Sequence, residues 1–247
     1  MIDTHAHLEA CADPPSELVA RARAGGVTRI LAVGSTIESC RSALAAAEAE
    51  QGVFAILGVH PHEAANEGDR LDELAALLTH PRAVAVGETG LDFYRDHAPR
   101  ERQLEVFEAE LDLAHEQGKP VVIHTRGAVQ ETARALERFD GTVVLHCFSS
   151  AALLPVALER GYYVSFAGNV TFPNASELRV AATQVPADRL LTETDTPYLA
   201  PQPVRGRPNE PANVVHTLAV LAEARGDDRA ALEAQIDANA TAAFHLP

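Results

Sequence analysis

Tryptophan is absent from the 247 residues, methionine occurs once, and aromatic residues make up only 5%. Any core must therefore be assembled from Ala, Val, Leu and Ile, and a hydrophobic content of 47% is ample for a large one. Cysteine is scarce too. Cys11, Cys40 and Cys147 are odd in number, far apart and without a C-x-x-C pair, which argues against a disulfide framework and a thiolate zinc site. If His146 points inward on a strand, Cys147 points outward into the layer between strands and helices. Lysine is nearly missing: Lys119 is the only one among 20 basic residues, against 35 acidic ones. The net charge of −15 disfavours broad attachment to duplex DNA, which needs a basic surface to displace counterions. It leaves open a nucleic acid that reaches a small site by one end. No apolar run approaches the roughly 18 residues of a membrane span. Met1–His5 lacks the basic and apolar regions of a secretory signal. The expectation is a soluble, cytoplasmic protein with no membrane partner.

What is present has a regular period. Short β-rich runs fall near 1–5, 28–33, 53–59, 83–87, 120–124, 142–146, 162–166 and 190–194, each followed by an Ala/Leu/Glu/Arg-rich stretch. Eight strands alternating with helices predict a parallel α/β sheet. The length suits a TIM-type (β/α)8 barrel forming one domain over residues 1–247. Helix marks agree. Pro14-Pro15 opens the first helix and Gly25-Gly26 stops it. Between Arg100 and Gln117, Leu104, Phe107, Leu111 and Ala114 form an apolar stripe. The Pro-rich segment Thr196–Pro211 also carries Arg205, Gly206, Arg207, Asn209 and Glu210. It follows the eighth strand, so it reads as an ordered substrate loop and not as a linker.

The chemistry-bearing residues fall at strand ends. His5 and His7 close the first run, and their i, i+2 spacing puts both on one face. Glu88, His124, His146 and Asp195 follow the fourth, fifth, sixth and eighth runs. All six are placed at the C-terminal rim, where barrel active sites are built. A lone histidine after a strand is more often a structural residue, but six candidates on five strand ends indicate a metal site. Imidazoles with carboxylates suit zinc, manganese or iron, and carboxylates extend the choice to magnesium. Six ligands exceed the three a catalytic zinc uses. Two ions bridged by Glu88 is the economical arrangement, with His5, His7 and Asp195 on one side and His124 and His146 on the other.

The motifs Thr4-His5-Ala6-His7-Leu8, Gly58-Val59-His60-Pro61-His62, Gly87-Glu88-Thr89-Gly90-Leu91-Asp92, Ile123-His124-Thr125-Arg126, His146-Cys147-Phe148-Ser149, Glu193-Thr194-Asp195-Thr196-Pro197-Tyr198 and Arg205-Gly206-Arg207-Pro208-Asn209-Glu210-Pro211 resemble the signature blocks of the TatD family. H-x-H alone is weak; the ordered set from residue 4 to residue 211 is very specific. The resemblance implies an amidohydrolase-like barrel with metal-dependent deoxyribonuclease activity, often 3′–5′ exonucleolytic, using two Mg²⁺, Mn²⁺ or Zn²⁺ ions. It maps the metal positions onto His5, His7, Glu88, His124, His146 and Asp195 without a substitution.

Phosphodiester cleavage assigns further expected roles. Asp195 is the candidate to take the proton of the attacking water. Arg126, two residues beyond His124, and Arg205 and Arg207 of the Pro-rich loop can pair with phosphate, unless surface acids occupy them. His60 can donate to a phosphate oxygen or orient water. Glu193 is placed to anchor a ligand histidine, and Asp92 lies near the rim. His62, His80, His97, His115, His216 and His245 show no convergent partners. The expected substrate is DNA, single-stranded or at frayed ends, and the expected state is a monomer. Two other readings compete: a hydrolase of a small amide, lactone or phosphoester, and a scaffold that has lost its ligands. Many two-metal barrels of the first kind use a modified lysine, but Lys119 lies at the wrong end of its strand.

Overall fold

In the computed structural model, which describes residues 1–247, eight strands form one sheet in sequence order. They are β1 (Ile2–Ala6), β2 (Arg29–Gly34), β3 (Val53–Leu57), β4 (Ala83–Asp92), β5 (Val121–Arg126), β6 (Val143–Leu145), β7 (Tyr163–Phe166) and β8 (Leu190–Thr192). Every neighbouring pair is parallel. The gap between β8 and β1 is closed just beyond β8. There His7 N donates to Thr196 O at 2.7 Å and Asp195 N donates to His5 O at 3.0 Å. The Asp3 carboxylate adds two bonds across the same seam, from Thr194 N at 2.9 Å and Thr194 Oγ1 at 2.6 Å. The result is the expected TIM-type barrel.

The strands read as apolar runs because helices cover their outer faces. Ile30–Val33, Phe54–Leu57, Val121–Ile123 and Val143–Leu145 are buried throughout. Each fully buried Val, Leu or Ile contributes about 1.5–3 kcal/mol relative to exposure. The first helix runs Pro15–Ala24 with Leu18, Val19 and Ala22 inward, as its spacing predicts. Helix Ile37–Ala49 is started by Thr36, whose side chain accepts from Ser39 N in a capping box. The chain ends in helices Val214–Arg225 and Arg229–Phe244, the latter capped by Asp228 on Ala231 N. No helix is long and apolar enough to cross a membrane.

Three departures from the sequence reading bear on the site. β4 continues past Gly87 to Asp92, because Gly90 to Asp92 pair with His124 to Arg126. β6 stops at Leu145, so His146 lies beyond it. In helix Arg100–Glu116, Gln103, Val106 and Glu110 are buried with Phe107, Leu111 and Ala114, while Leu104 is only partly covered. Two polar side chains on the inner face hid the true stripe.

Two of the ladder's three insertions bear on the site. From Asp3 to Ala6, β1 takes three steps against two on β2. From Val86 to Thr89, β4 takes three against two on β5. Such bulges bend a strand and re-aim a side chain. His5 and Glu88 fall inside them. Just beyond the second, Gly90 sits at φ 132°, where an added Cβ would lie 2.0 Å from His124 O. Only glycine allows β4 and β5 to approach this closely beside His124.

Candidate metal centre

Glu88 is the hub of the barrel mouth. Its carboxylate is buried, and five imidazoles face it. Oε2 lies 3.4 Å from His5 Nε2 and 3.4 Å from His7 Nε2. Oε1 lies 2.8 Å from His124 Nδ1, 3.2 Å from His146 Nε2 and 3.4 Å from His60 Nε2. Asp195 stands on the His7 side, with Oδ1 3.8 Å from His7 Nε2. It has left β8 and adopts φ 57°, a left-handed conformation that aspartate tolerates better than most residues. The six residues singled out in the sequence thus meet at one point, with His60 as a seventh.

Electrostatics divide them. His5 and His146 stack with ring centroids 3.7 Å apart, too close for both to be charged. Burial, followed by the charge of His146, pushes His5 down to about 4. Burial also pushes His60 down to about 4. His146 goes the other way: burial opposes its charge, but Glu193 and Glu88 outweigh it and hold the imidazole well above 6.5. Burial likewise opposes ionisation of Glu88, yet His146, His60 and His124 hold its carboxyl well below 4.5. Burial lifts Asp195 to about 7.

These side chains fit divalent cations. Nε2 of His5 and Nε2 of His7 point at each other across 3.2 Å, and His5 Nδ1 is buried without a partner. Four groups place all their donor atoms within 4.8 Å: His5–His7–Glu88, His5–His146–Asp195, His60–Glu88–His124 and His146–Cys147–Glu193. Glu88 belongs to two of them, one through each oxygen. Nitrogen and carboxylate donors converging in this way are what zinc or manganese takes, and what magnesium accepts in part.

The family model for TatD related DNase matches residues 2–245. The chain belongs to the TatD family. It is 43% identical over 236 residues to a protein of Mycobacterium tuberculosis called an uncharacterized metal-dependent hydrolase TatD, covering 90% of this chain and 89% of that one. It is 39% identical over 241 residues to the 3′-5′ ssDNA/RNA exonuclease TatD of Cronobacter sakazakii, covering 92% and 90%. The crystal structure of the Escherichia coli TatD homologue YjjV superposes with a TM-score of 0.94 at 32% identity, covering 100% and 98%. The chain is a metal-dependent hydrolase of this family.

Carboxylates brace this TatD-family centre from behind. Glu193 Oε1 lies 2.8 Å from His146 Nδ1, and the same carboxylate accepts from Cys147 N at 2.8 Å and Ser165 Oγ at 2.5 Å. Asp92 Oδ2 lies 3.3 Å from His124 Nε2 and 2.9 Å from His62 Nε2. Its Oδ1 is fixed by Tyr94 N at 2.9 Å and Arg95 N at 2.8 Å. His62 and His97 show no convergent partner in the sequence, but the structure supplies partners for both. His62 binds Asp92, and its ring packs 4.3 Å from that of His60 and 4.6 Å from that of His97. The signal was present in His60-Pro61-His62, a second H-x-H after a strand.

Cys147 also departs from expectation. The strand has ended before it and its φ is 44°, so alternation no longer applies. Its thiol faces the charges of Asp195, Glu193, Glu88 and Arg126, and burial raises its pKa well above the usual thiol value. Lys119 is where the sequence put it, at the opposite end of the barrel, with Nζ donating to Ala83 O at 2.6 Å. It cannot bridge ions here.

The three arginines named as phosphate contacts form no ion pair, although the chain has 35 acidic residues against 20 basic ones. Arg126 lies over the Tyr94 ring at 4.1 Å and Arg205 over the Phe172 ring at 3.9 Å. Arg207 is exposed in the loop.

Proposed function

We propose that the protein is a nuclease that removes nucleotides from the 3′ end of single-stranded DNA, using two divalent ions held on either side of Glu88. The observation that carries this reading is the division of Glu88: one oxygen faces His5 and His7, the other faces His124, His146 and His60. The substrate follows from similarity to relatives named 3′-5′ ssDNA/RNA exonuclease. His5, His7 and Asp195 would hold one ion and His124 and His146 the other. Mg²⁺, Mn²⁺ or Zn²⁺ at such positions supplies Lewis-acid charge and makes water a nucleophile near neutral pH.

The chain's own residues do the rest. Asp195 accepts the proton of the attacking water. Its place at the edge of the buried cluster gives it access to water, and burial lifts its carboxyl to about 7, close to the pH at which a general base works best. Arg126, Arg205 and Arg207, free of carboxylate partners, offer planar donor forks to phosphate oxygens. His60, neutral at pH 7, presents Nε2 toward Glu88 and orients water or a phosphate oxygen. Glu193 and Asp92 fix the ring orientation of His146 and His124.

The test is a 5′-labelled single-stranded oligonucleotide incubated with EDTA, Mg²⁺, Mn²⁺ or Zn²⁺, beside a matching RNA and a closed circular duplex. A metal-dependent ladder shortened from the 3′ end, lost in Asp195→Asn, is the expected result. Metal-loaded protein that leaves every strand intact contradicts the reading. Nicking of the circle as fast as trimming of the strand contradicts the preference for ends.

A further inference from the structure

The chain has no tryptophan and four tyrosines, and two of those tyrosines stand out in water. Tyr94 is 68% exposed and Tyr198 is 57% exposed, the only large aromatic side chains so placed. Both are on the rim. Tyr94 follows β4 by two residues and Tyr198 lies in the loop after β8. In the strand order β4 and β5 are halfway round the barrel from β8 and β1, so the two rings flank the centre from opposite sides.

Neither ring hangs from a loose segment. Tyr94 N donates to Asp92 Oδ1 at 2.9 Å. Tyr198 N donates to Asp195 O at 2.8 Å, and Tyr198 O accepts from the buried side chain of Asn209 at 2.6 Å. Each ring also touches the working residues: Arg126 caps Tyr94 at 4.1 Å, and Tyr198 meets His7 edge-on at 6.0 Å. Hydrogen-bonded backbones therefore hold two aromatic faces out of the core, one beside Arg126 and one beside His7.

We propose that Tyr94 and Tyr198 are stacking platforms for the two nucleobases that flank the scissile phosphate. This rests on the nuclease reading above and specifies how that substrate is held. Every base has a π-face, so stacking on an aromatic ring is tolerant of sequence, which an end-trimming enzyme requires. A surface with net charge −15 gains little from counterion release, so affinity must come from stacking and a few local arginines. Bases inside a duplex are already stacked on one another. Platforms of this kind select single strands without any base-specific contact.

The experiment measures kcat/KM with Mn²⁺ on a 5′-labelled oligothymidylate and on copies lacking the base on one or other side of the bond cut. Wild type is compared with Tyr94→Ala, Tyr94→Phe, Tyr198→Ala and Tyr198→Phe. Each alanine variant should lose roughly 5- to 150-fold on the intact strand, the equivalent of stacking one base. The phenylalanine variants should keep most of the activity. The loss should collapse toward unity on the strand that lacks the facing base. Equal losses on intact and abasic strands, or none, overturn the platforms and leave the nuclease reading standing. If metal-loaded protein cuts no strand, the nuclease reading falls. Fluorescence anisotropy on the same samples then decides the platforms: base-dependent weakening in the alanine variants supports them, and its absence overturns them.

Discussion

Glu88 and Glu110 are both fully buried glutamates on adjoining elements, linked through Thr89, yet they titrate in opposite directions. Glu88 lies in the barrel mouth among five histidines, and their positive charge outweighs burial and keeps it ionised. Glu110 lies behind the barrel wall on helix Arg100–Glu116. It accepts from Val59 N at 2.7 Å and from Thr89 Oγ1, with no cation near, and burial pushes it up to about 8. Burial alone does not make a metal site. An ionised carboxylate with both oxygens facing imidazole nitrogens can hold cations, whereas a protonated one ties a loop to a helix.

Glu88→Gln should break the contrast most severely. It removes the charge that both histidine groups share, so affinity for Zn²⁺ or Mn²⁺ should fall by more than the roughly 10- to 100-fold typical of losing an outer carboxylate. Calorimetric metal titration checks this, with Glu110→Gln as the variant that should bind as wild type does. Asp92→Asn sharpens the comparison from the next shell outward. It keeps the shape but weakens the hold on His124, and affinity should drop about 10- to 100-fold with little change in melting temperature. An unchanged affinity would deny Asp92 its positioning role.

The smallest effect concerns stability and pH. The Glu110 carboxyl has its folded pKa raised from 4.5 to about 8. The folded state therefore holds the proton more tightly than the unfolded chain does. Its stabilising contribution is complete below pH 4.5 and is lost as pH rises through about 8. Thermal melts from pH 5 to pH 9 should show a decline in wild type that is shallower in Glu110→Gln. The difference should be at least about 1.4 kcal/mol, one pKa unit, or a few degrees in Tm. Parallel curves would mean that Glu110 is ionised in the folded protein.

How much of this was legible in the sequence depends on which residues are concerned. The eight strands were, because apolar runs bounded by turns recur along the whole chain, and their ends placed His5, His7, Glu88, His124, His146 and Asp195 at one rim. The bulges at His5 and Glu88 were not, since an extra residue in a ladder leaves no mark in hydrophobic period. Cys147 was misplaced for a related reason: alternation was extended two residues past the end of β6. His62 was passed over because its partner Asp92 is contributed by another strand, 30 residues away. Glu110 was hidden because a charged residue on the inner face breaks the pattern used to find that face.

Metal stoichiometry tests the central claim most directly. Native mass spectrometry of the metal-loaded protein should show two divalent ions per chain, and Glu88→Gln, folded with an unchanged far-ultraviolet spectrum, should lose them. A chain that binds no ion, or a Glu88→Gln variant that retains both ions at wild-type affinity, would contradict a centre built on Glu88.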